Sequence, residues 1–275
     1  MTAKMTPRPA NKKGPNGSLS KAMGIAPKVL IFDIETSPML AYVWGFYKQF
    51  ISPSQVVKPT EMLCYTAKWL GSDVVFFDSQ QGEEDDKRVC ETMIELFDQA
   101  DIVVAHNGQG FDEKVLRARW LHHGFVPPRP YKSVDTLKIA KTLRTGCNKL
   151  DYLAQYLGVG RKMEHEGFAL WTKCLAGDKK AWARMEAYNI QDVLILEDVY
   201  LKMRAWDKRH PNLALYYEDD KERCTVCGSS SMTTLTKKAM TAVSIFASYR
   251  CNSCGHIMRD ASREKVYKQI MRNAQ

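Results

Sequence analysis

The segment Lys28-Val29-Leu30-Ile31-Phe32-Asp33-Ile34-Glu35-Thr36 places two carboxylates in an otherwise apolar strand. The unbroken apolar run at residues 29–32 is typical of a strand that is buried on both faces. Side chains alternate along a strand, so Asp33 and Glu35 point to the same face. Two like charges repel unless a cation lies between them, and oxygen ligands suit a divalent metal. The segment therefore indicates a metal-binding strand, although a strand end whose acids only reach solvent gives the same pattern.

The composition is that of an ordinary globular protein. The 275 residues are 45% hydrophobic and 26% charged, which is enough for one generous domain and a small one. The sequence contains no apolar run of the ~18 to 20 residues that a membrane span needs, and residues 1–28 lack the apolar region of a secretory signal. We therefore expect a cytoplasmic protein with no membrane partner.

The net charge of +9 is concentrated at the two ends of the chain. Residues 1–28 contain six bases and no acid, and residues 221–275 contain ten bases and three acids. Basic ends suit a polyanion, because Lys and Arg that neutralise phosphates release counterions. A disordered tail at residues 1–27 that only improves solubility explains its charge equally well.

Alternating β-rich and helical patterns predict an α/β fold. Residues 62–70 and 73–78 are joined by Gly71-Ser72, which predicts a hairpin that forms an antiparallel meander with the first strand. A buried strand is predicted at 101–105, and a short strand that leads into a helix is predicted at 133–140. Helical spacing of apolar residues occurs at 83–100, 148–157 and 178–206.

Two of these elements add further acids to the pair on the first strand. The strand at 101–105 ends in His106-Asn107-Gly108-Gln109-Gly110-Phe111-Asp112, which places Asp112 in the first turn of a helix at the carboxyl end of a strand. A plain helix cap is the other interpretation of Asp112, and we interpret His106 as structural. On the helix at 178–206, Tyr188 and Asp192 are four residues apart and therefore share a face.

These motifs, Asp33-x-Glu35, His106-Asn107-x3-Phe111-Asp112 and Tyr188-x3-Asp192, resemble the three exonuclease motifs of the DEDD superfamily. Its members are DnaQ-like 3′-to-5′ exonucleases with a ribonuclease H-like fold. A Tyr four residues before the last Asp is typical of the DEDDy branch, whereas the other branch has a His one position earlier, where this chain has Ala187. The resemblance covers residues 28–206 and is closest to predicted bacteriophage exonucleases.

The resemblance implies a fold, an activity and a set of roles. The fold is a ribonuclease H-like mixed sheet flanked by helices, at residues 28–210. Asp33, Glu35, Asp112 and Asp192 would hold two Mg2+ or Mn2+ ions, and Tyr188 would orient the attacking water. The activity is a 3′-to-5′ exonuclease that releases nucleoside 5′-monophosphates from single-stranded or frayed DNA 3′ ends. The setting would be phage replication or repair in the host cytoplasm, with a DNA polymerase or another replication protein as a partner.

The end of the chain contains a second metal pattern. Cys224-x2-Cys227-Gly228 and Cys251-x2-Cys254-Gly255 form two knuckles that suit a structural Zn2+ with four thiolates. A β-hairpin from 233–237 and 242–250 would fill the interval. A pair of disulfides is the alternative, and a cytoplasmic location disfavours it. We predict a zinc ribbon at 221–260, followed by a basic helix or tail at 261–275.

The surface of the ribbon carries basic residues that suit single-stranded nucleic acid, although a protein-docking role remains open. The residues predicted to bind nucleic acid are Asn107, Phe111, Lys237, Lys238 and Arg250. Two alternatives to a DNA exonuclease remain. The first is a DEDD exoribonuclease that acts on RNA, and the second is an inert nucleic-acid-binding protein that uses the zinc ribbon.

Overall fold

The computed structural model describes residues 8–9 and 26–265, with side chains described from residue 26 onward. The predicted tails at 1–27 and 261–275 lie largely outside these residues. The chain divides into two compact units. The first contains Lys28–Tyr200, and the second contains the described residues from Leu201 onward.

The first unit contains a mixed sheet with strand order β1-β6-β5-β2-β7-β8. Its central strand, β2, pairs antiparallel with β5 and parallel with β7, and β5 pairs antiparallel with β6. This arrangement confirms the predicted meander and the predicted mixed α/β sheet. The strands of this unit are β1 (Arg8–Pro9), β2 (Val29–Thr36), β3 (Leu40–Ala41), β4 (Val56–Lys58), β5 (Met62–Trp69), β6 (Val74–Ser79), β7 (Ile102–Ala105) and β8 (Lys132–Asp135).

Helices cover the sheet, and their positions follow the apolar spacing of the sequence. The α5 segment was not predicted from the sequence, whereas the other five helices fall in or next to predicted helical stretches. The helices are α1 (Lys87–Gln99), α2 (Asp112–His122), α3 (Thr136–Thr142), α4 (Leu150–Tyr156), α5 (Phe168–Leu175) and α6 (Lys179–Met203).

Two hydrophobic clusters lie on opposite faces of the sheet. On one side, Phe32 of β2 packs with α1 and α2, and the ring of Phe97 lies edge-on to Phe32 and Trp120 at centroid distances of 5.0 and 5.2 Å. On the other side, Leu63 and Cys64 of β5 pack with α5 and α6. Because Phe32 faces the first cluster, its neighbour Asp33 is directed to the face that α6 covers.

The second unit contains a three-stranded antiparallel sheet with the order β11-β10-β9. It consists of β9 (Met232–Met240), β10 (Ile245–Cys251) and β11 (Ile257–Arg259), so the predicted hairpin is confirmed with longer strands. Its buried cluster is small and consists of Cys224, Val226 and Cys251. Among the described residues of both units, no helix combines the length and apolar character that a membrane crossing requires.

Candidate active site

Three of the four predicted carboxylates meet at one point of the first unit. Asp33 and Glu35 lie on β2, and Asp192 lies on α6, with one oxygen from each within 4.8 Å of the others. Asp33 and Glu35 are half-buried and Asp192 is buried. The alternative of a strand end whose acids only reach solvent does not describe this cluster, because α6 supplies a third acid to it.

The fourth predicted carboxylate, Asp112, reaches the same strand from the first residue of α2. Its Oδ1 accepts a hydrogen bond from the backbone amide of Ile34 at 3.3 Å, between the two acids of β2. The side chain is almost fully buried. Burial raises the pKa of Asp112 to about 6, although the hydrogen bond from Ile34 opposes this shift. The negative charge of Asp112 in turn helps to raise the pKa values of Asp33 and Glu35.

The proximity of the acids makes their negative charges costly. Burial, together with repulsion from Asp112 and Glu35, raises the pKa of Asp33 well above its ordinary value. Burial and repulsion from Asp192 raise the pKa of Glu35 to about 8. A divalent cation would remove this repulsion, because oxygen donors that repel one another favour such an ion between them.

One buried atom tests directly whether a cation fits this site. The Oδ1 atom of Asp192 is buried and has no hydrogen-bond partner among the described residues. A buried carboxylate oxygen without a partner is destabilising, and a metal ion would satisfy it. The carboxylate cluster is therefore compatible with divalent Mg2+ or Mn2+.

Lys162 also reaches the cluster, and the sequence did not predict this. Its Nζ lies 2.5 Å from Oδ2 of Asp192 and 5.5 Å from the centroid of the Tyr188 ring. Lys162 lies in an irregular segment before α5, and its side chain is directed into the site. Burial raises the pKa of Asp192, and the ammonium group of Lys162 reduces this rise. No periodic pattern in the sequence marks this lysine, since it belongs to no regular element.

A second residue that the sequence analysis missed is Asn189. Its Nδ2 donates a hydrogen bond of 2.7 Å to Oδ2 of Asp33, and the residue is fully buried. Asn189 lies three residues before Asp192, so the two share a helix face that points to the carboxylates. That spacing is the signal that could have identified it.

Tyr188 is buried beside the acids, as its spacing from Asp192 predicts. Its ring packs against His165 and Trp171 at centroid distances of 4.7 and 6.4 Å. Burial and the neighbouring Asp192 raise the pKa of Tyr188 above its ordinary value. The surrounding rings fix the orientation of the phenol next to the carboxylates.

Side-chain hydrogen bonds fix the turn after β7. The Nδ1 atom of His106 lies 2.9 Å from the hydroxyl of Thr136, and burial lowers the pKa of His106. Asp135 accepts hydrogen bonds from the amides of Asn107 and Leu137 at 2.9 and 3.0 Å. Asn107 has a φ of 67°, a left-handed conformation that Asn adopts more readily than most residues. These contacts support a structural role for His106.

A cleft adjoins the carboxylates through Lys162, which lines both. Its volume is about 510 Å3, and its lining contains two lysines and one acid, Asp151. The exposed Asn107 lines this cleft, whereas Phe111 is exposed immediately before Asp112. The lining residues are His106, Asn107, Leu137, Asn148, Lys149, Leu150, Asp151 and Lys162.

Comparison with known proteins places this site in a family. Residues 30–204 match the RNase_H superfamily. The chain belongs to the RNase_H superfamily. This membership agrees with the mixed sheet and supports a nuclease at a general level, and the divalent metals that such nucleases use are compatible with the carboxylate cluster.

One solved structure is also similar to this chain. It is that of the family B DNA polymerase from the hyperthermophilic archaeon Pyrobaculum calidifontis, with 18% sequence identity and a TM-score of 0.49. The match covers 74% of this chain and 29% of the polymerase chain, so it spans less than a third of that protein. No curated protein sequence matches the chain.

This RNase_H superfamily chain has a second candidate metal site in its second unit. The four Sγ atoms of the two knuckles lie within 4.8 Å of one another, and two pairs are separated by 3.6 Å (Cys224 and Cys254) and 3.5 Å (Cys227 and Cys251). Sulfurs bonded to one tetrahedral Zn2+ at ~2.3 Å lie about 3.8 Å apart, whereas a disulfide needs about 2.05 Å. The cluster is therefore compatible with zinc and not with the alternative of two disulfides.

Both knuckles have the same backbone turn. The amides of Gly228 and Gly255 donate to the carbonyls of Cys224 and Cys251, each at 2.9 Å, with φ values of 72° and 81° at the glycines. Side chains are strained at such angles, so glycine is required there. His256 is not a fifth member of the cluster, because its Nδ1 lies 2.8 Å from the carbonyl oxygen of Ala205.

The basic residues predicted to bind nucleic acid belong to the hairpin of the second unit. Lys237 and Lys238 lie on β9 and Arg250 lies on β10, and all three are exposed. Lys238 pairs with Glu264 through Nζ and Oε1 at 2.5 Å. Lys237 and Arg250 therefore carry most of the uncompensated charge of this set.

Proposed function

We propose that this chain is a two-metal-dependent 3′-to-5′ exonuclease of the DEDDy type that acts on DNA and releases nucleoside 5′-monophosphates. The observation that carries the proposal is the meeting of Asp33, Glu35 and Asp192, with Asp112 bound to the same strand. These side chains come from three elements that are far apart in the sequence. The buried Oδ1 of Asp192, which has no hydrogen-bond partner among the described residues, supports a cation in this cluster.

The proposed roles follow from where each group lies. Asp33, Glu35, Asp112 and Asp192 would hold the two ions, which when bound supply charge stabilisation at the phosphate and a more acidic water. Tyr188 donates a hydrogen bond that orients the attacking water. A phenol has an unperturbed pKa of about 10, so it is protonated at neutral pH and is not the general base.

Two further residues support these groups without being among the predicted ligands. Asn189 fixes Asp33 through the hydrogen bond of 2.7 Å. Lys162 fixes Asp192 at 2.5 Å and places a positive charge beside three acids. Both are positioning residues, because each acts through a carboxylate.

The cleft beside the carboxylates suits the last nucleotides of a strand. Lys149 would contact a phosphate, and Asn107 would contact the terminal nucleotide together with Phe111. In the second unit we propose a structural Zn2+ at the four cysteines, with Lys237, Lys238 and Arg250 contributing affinity for the strand. A DNA polymerase or another replication protein would supply the substrate ends.

The test is the hydrolysis of single-stranded DNA labelled at the 3′ or the 5′ end, with Mg2+, with Mn2+ or with EDTA. We expect stepwise shortening from the 3′ end that requires metal, and loss of this activity in Asp192→Ala. The control is Asp198→Ala, which removes an exposed acid from the same helix. Matched RNA and DNA oligonucleotides identify the substrate. Near-normal hydrolysis by Asp192→Ala, or binding without cleavage under every metal, would overturn the proposal.

A further inference from the structure

Large aromatic side chains are exposed in the segment that follows the carboxylate strand. Residues 42–55, named here the aromatic loop, lie between β3 and β4. Trp44 and Phe46 are 99% and 96% exposed, and Phe50 is fully exposed. Tyr42 and Tyr47 of the same loop are also mostly exposed. Contiguous exposed aromatic residues of this kind mark interaction sites in soluble proteins, because they contribute nothing to the core.

Hydrogen bonds give the aromatic loop a defined backbone structure, so the exposed rings have fixed points of attachment. Tyr42 and Gln55 close it with two hydrogen bonds of 2.9 Å, from the amide of Tyr42 to the carbonyl of Gln55 and from Nε2 of Gln55 to the carbonyl of Tyr42. Inside the loop, the amide of Trp44 donates to Oε1 of Gln49 at 3.1 Å. Lys48 has a φ of 53°, which turns the backbone among the aromatic residues.

The loop is attached directly to the end of β2 that carries the candidate active site. Ser37, two residues after Glu35, donates its amide to the carbonyl of Glu61 at 2.8 Å and accepts the Glu61 amide at 2.9 Å. Both residues are buried, so the base of the loop is fixed. Trp44 follows Glu35 by nine positions, which limits their Cα separation to about 30 Å.

The charge of this segment identifies the chemistry of its partner. Residues 36–60 contain Lys48 and Lys58 but no Asp or Glu. Lys58 pairs with Glu61 at 2.9 Å, so Lys48 provides the uncompensated positive charge of this segment. A polyanion would meet aromatic faces and positive charge there without repulsion. Proteins that bind single strands without sequence preference combine these two features, since every base can stack on an aromatic ring. Protein–protein interfaces are also enriched in aromatic residues but depleted in lysine, so the position of Lys48 among the rings favours nucleic acid over a docked protein.

We propose that the aromatic loop is a stacking platform for the unpaired bases of a strand whose 3′ end lies at the carboxylates. The proposal rests on the proposed function for the direction of the strand. Trp44, Phe46 and Phe50 hold the bases, and Lys48 contacts the backbone. The loop thereby selects single-stranded over duplex substrate.

Binding is measured first, with a fluorescent 20-nucleotide single strand and the matching duplex. The strand stays intact on the Asp192→Ala background. We expect each of Trp44→Ala, Phe46→Ala and Phe50→Ala to weaken single-strand binding by roughly 5- to 150-fold, because a stacked base contributes about 1–3 kcal/mol. The matched control is Tyr156→Ala, which removes an exposed aromatic residue from α4. Its affinity should equal that of the parent.

The salt dependence of binding separates stacking from charge. The aromatic variants should keep the parent slope of log affinity against log salt, whereas Lys48→Ala should lower it by almost one phosphate contact. The triple variant combines Trp44→Ala, Phe46→Ala and Phe50→Ala. Unchanged single-strand affinity in this variant would overturn the proposal and leave a protein as the partner of the loop. Equal loss of duplex and single-strand affinity would also overturn it.

Hydrolysis then distinguishes this proposal from the proposed function. The triple variant should have a raised KM for the 20-nucleotide strand with kcat within about twofold of wild type. Hydrolysis of the p-nitrophenyl ester of thymidine 5′-monophosphate, which has no neighbouring bases to stack, should not change. If the wild type hydrolyses neither substrate, the proposed function fails, and the binding measurements still decide the role of the loop.

Discussion

The carboxylate cluster of the first unit and the cysteine cluster of the second are both groups of potential metal ligands, but they depend on very different lengths of chain. Asp33 and Asp192 are 159 positions apart, whereas Cys224 and Cys254 are separated by only 30. The first cluster lies beside two hydrophobic clusters that hold a sheet and its helices together. The second lies in a unit whose buried cluster includes two of its own cysteines.

This difference indicates that the fold would create the metal site in the first unit, whereas the metal would stabilise the fold in the second. In the first unit the hydrophobic core positions the acids, and their mutual repulsion makes the site a burden on stability. In the second unit the sulfurs form much of the interior, so a bound ion would act as the core. A small domain with little apolar burial commonly needs such a metal.

The largest expected effect is therefore the loss of the proposed zinc from the second unit. Binding of a structural zinc contributes about 10 to 16 kcal/mol to folding in small zinc domains. We expect Cys227→Ser or a strong zinc chelator to abolish amide-exchange protection in β9 and β10 while leaving β2 and β5 protected. Hydrogen-exchange mass spectrometry measures this difference between the units.

The control for this experiment is Cys147→Ser, which changes a half-buried cysteine outside the cluster. It should retain one zinc per chain by metal analysis, with protection as in wild type. Full protection of β9 and β10 in the zinc-free protein would break the comparison, because the second unit would then fold on its own core.

Removal of an acid from the first unit should have a smaller effect, and on activity alone. Asp33→Ala is expected to lower hydrolysis by about 10,000-fold, equivalent to about 5 kcal/mol in the barrier. Its unfolding midpoint should stay near that of wild type, because relief of the repulsion from Asp112 and Glu35 offsets the loss of the hydrogen bond from Asn189. Activity assays and thermal unfolding measure the two quantities. Asp73→Ala, an exposed acid, is the control, and a lower midpoint in Asp33→Ala alone would show a structural role.

The polar network around Asp86 tests whether the first unit is stabilised without metal. Asp86 is fully buried and accepts hydrogen bonds from Arg119 at 2.8 and 2.6 Å, from the Met62 amide at 2.8 Å, and contacts His123 at 2.7 Å. Asp86→Ala leaves the Arg119 charge buried without its partner. We expect a loss of about 3 to 5 kcal/mol in the free energy of unfolding, measured by urea titration.

The pH dependence of that loss follows from the pKa of Asp86. Burial alone would raise the pKa, but the hydrogen bonds from Arg119, Met62 and His123 outweigh it and lower the pKa in the folded state. A lowered folded pKa adds stability above the unfolded value of about 3.9, and this stability is lost as the pH falls through the folded value. Wild type and Asp86→Ala should therefore differ fully at pH 7, and the difference should begin to shrink below about pH 4. A difference that persists unchanged in acid would contradict this account.

The smallest expected effect is at Lys162, which touches a carboxylate without belonging to a predicted motif. Lys162→Met should lower kcat by about 10- to 100-fold, as loss of a group that orients a metal ligand commonly does. Lys162→Arg should restore part of the activity, since it keeps the charge beside Asp192. KM and the unfolding midpoint should stay near the wild-type values, and a loss of stability without rescue by Arg would indicate a structural role only.

Local patterns predicted much of the candidate site because the backbone repeat places side chains on known faces. Asp33 and Glu35 share a strand face through the two-residue repeat, and Tyr188 and Asp192 share a helix face through four-residue spacing. The cysteine knuckles are equally local. Helix α5 has only eight residues, Phe168–Leu175, and its pattern is too short to distinguish from a loop.

The sequence did not predict contacts between elements that are far apart in the chain, because no helix or strand repeat relates their residues. The amide of Asn189 meets Asp33 across 156 positions, and Lys162 meets Asp192 from a loop 30 positions away. Such contacts depend on how α6 packs across the sheet and on the path of an irregular segment, which only long-range packing specifies.

The sequence by itself determined the types of potential ligand and their local spacing: four acids with a tyrosine in one part of the chain, and four cysteines in another. The tertiary structure alone decided that three acids meet within 4.8 Å, that Lys162 is directed among them, and that Trp44, Phe46 and Phe50 remain in solvent. The physical reason is that side-chain chemistry and backbone period are local properties, whereas convergence and exposure depend on packing throughout the unit.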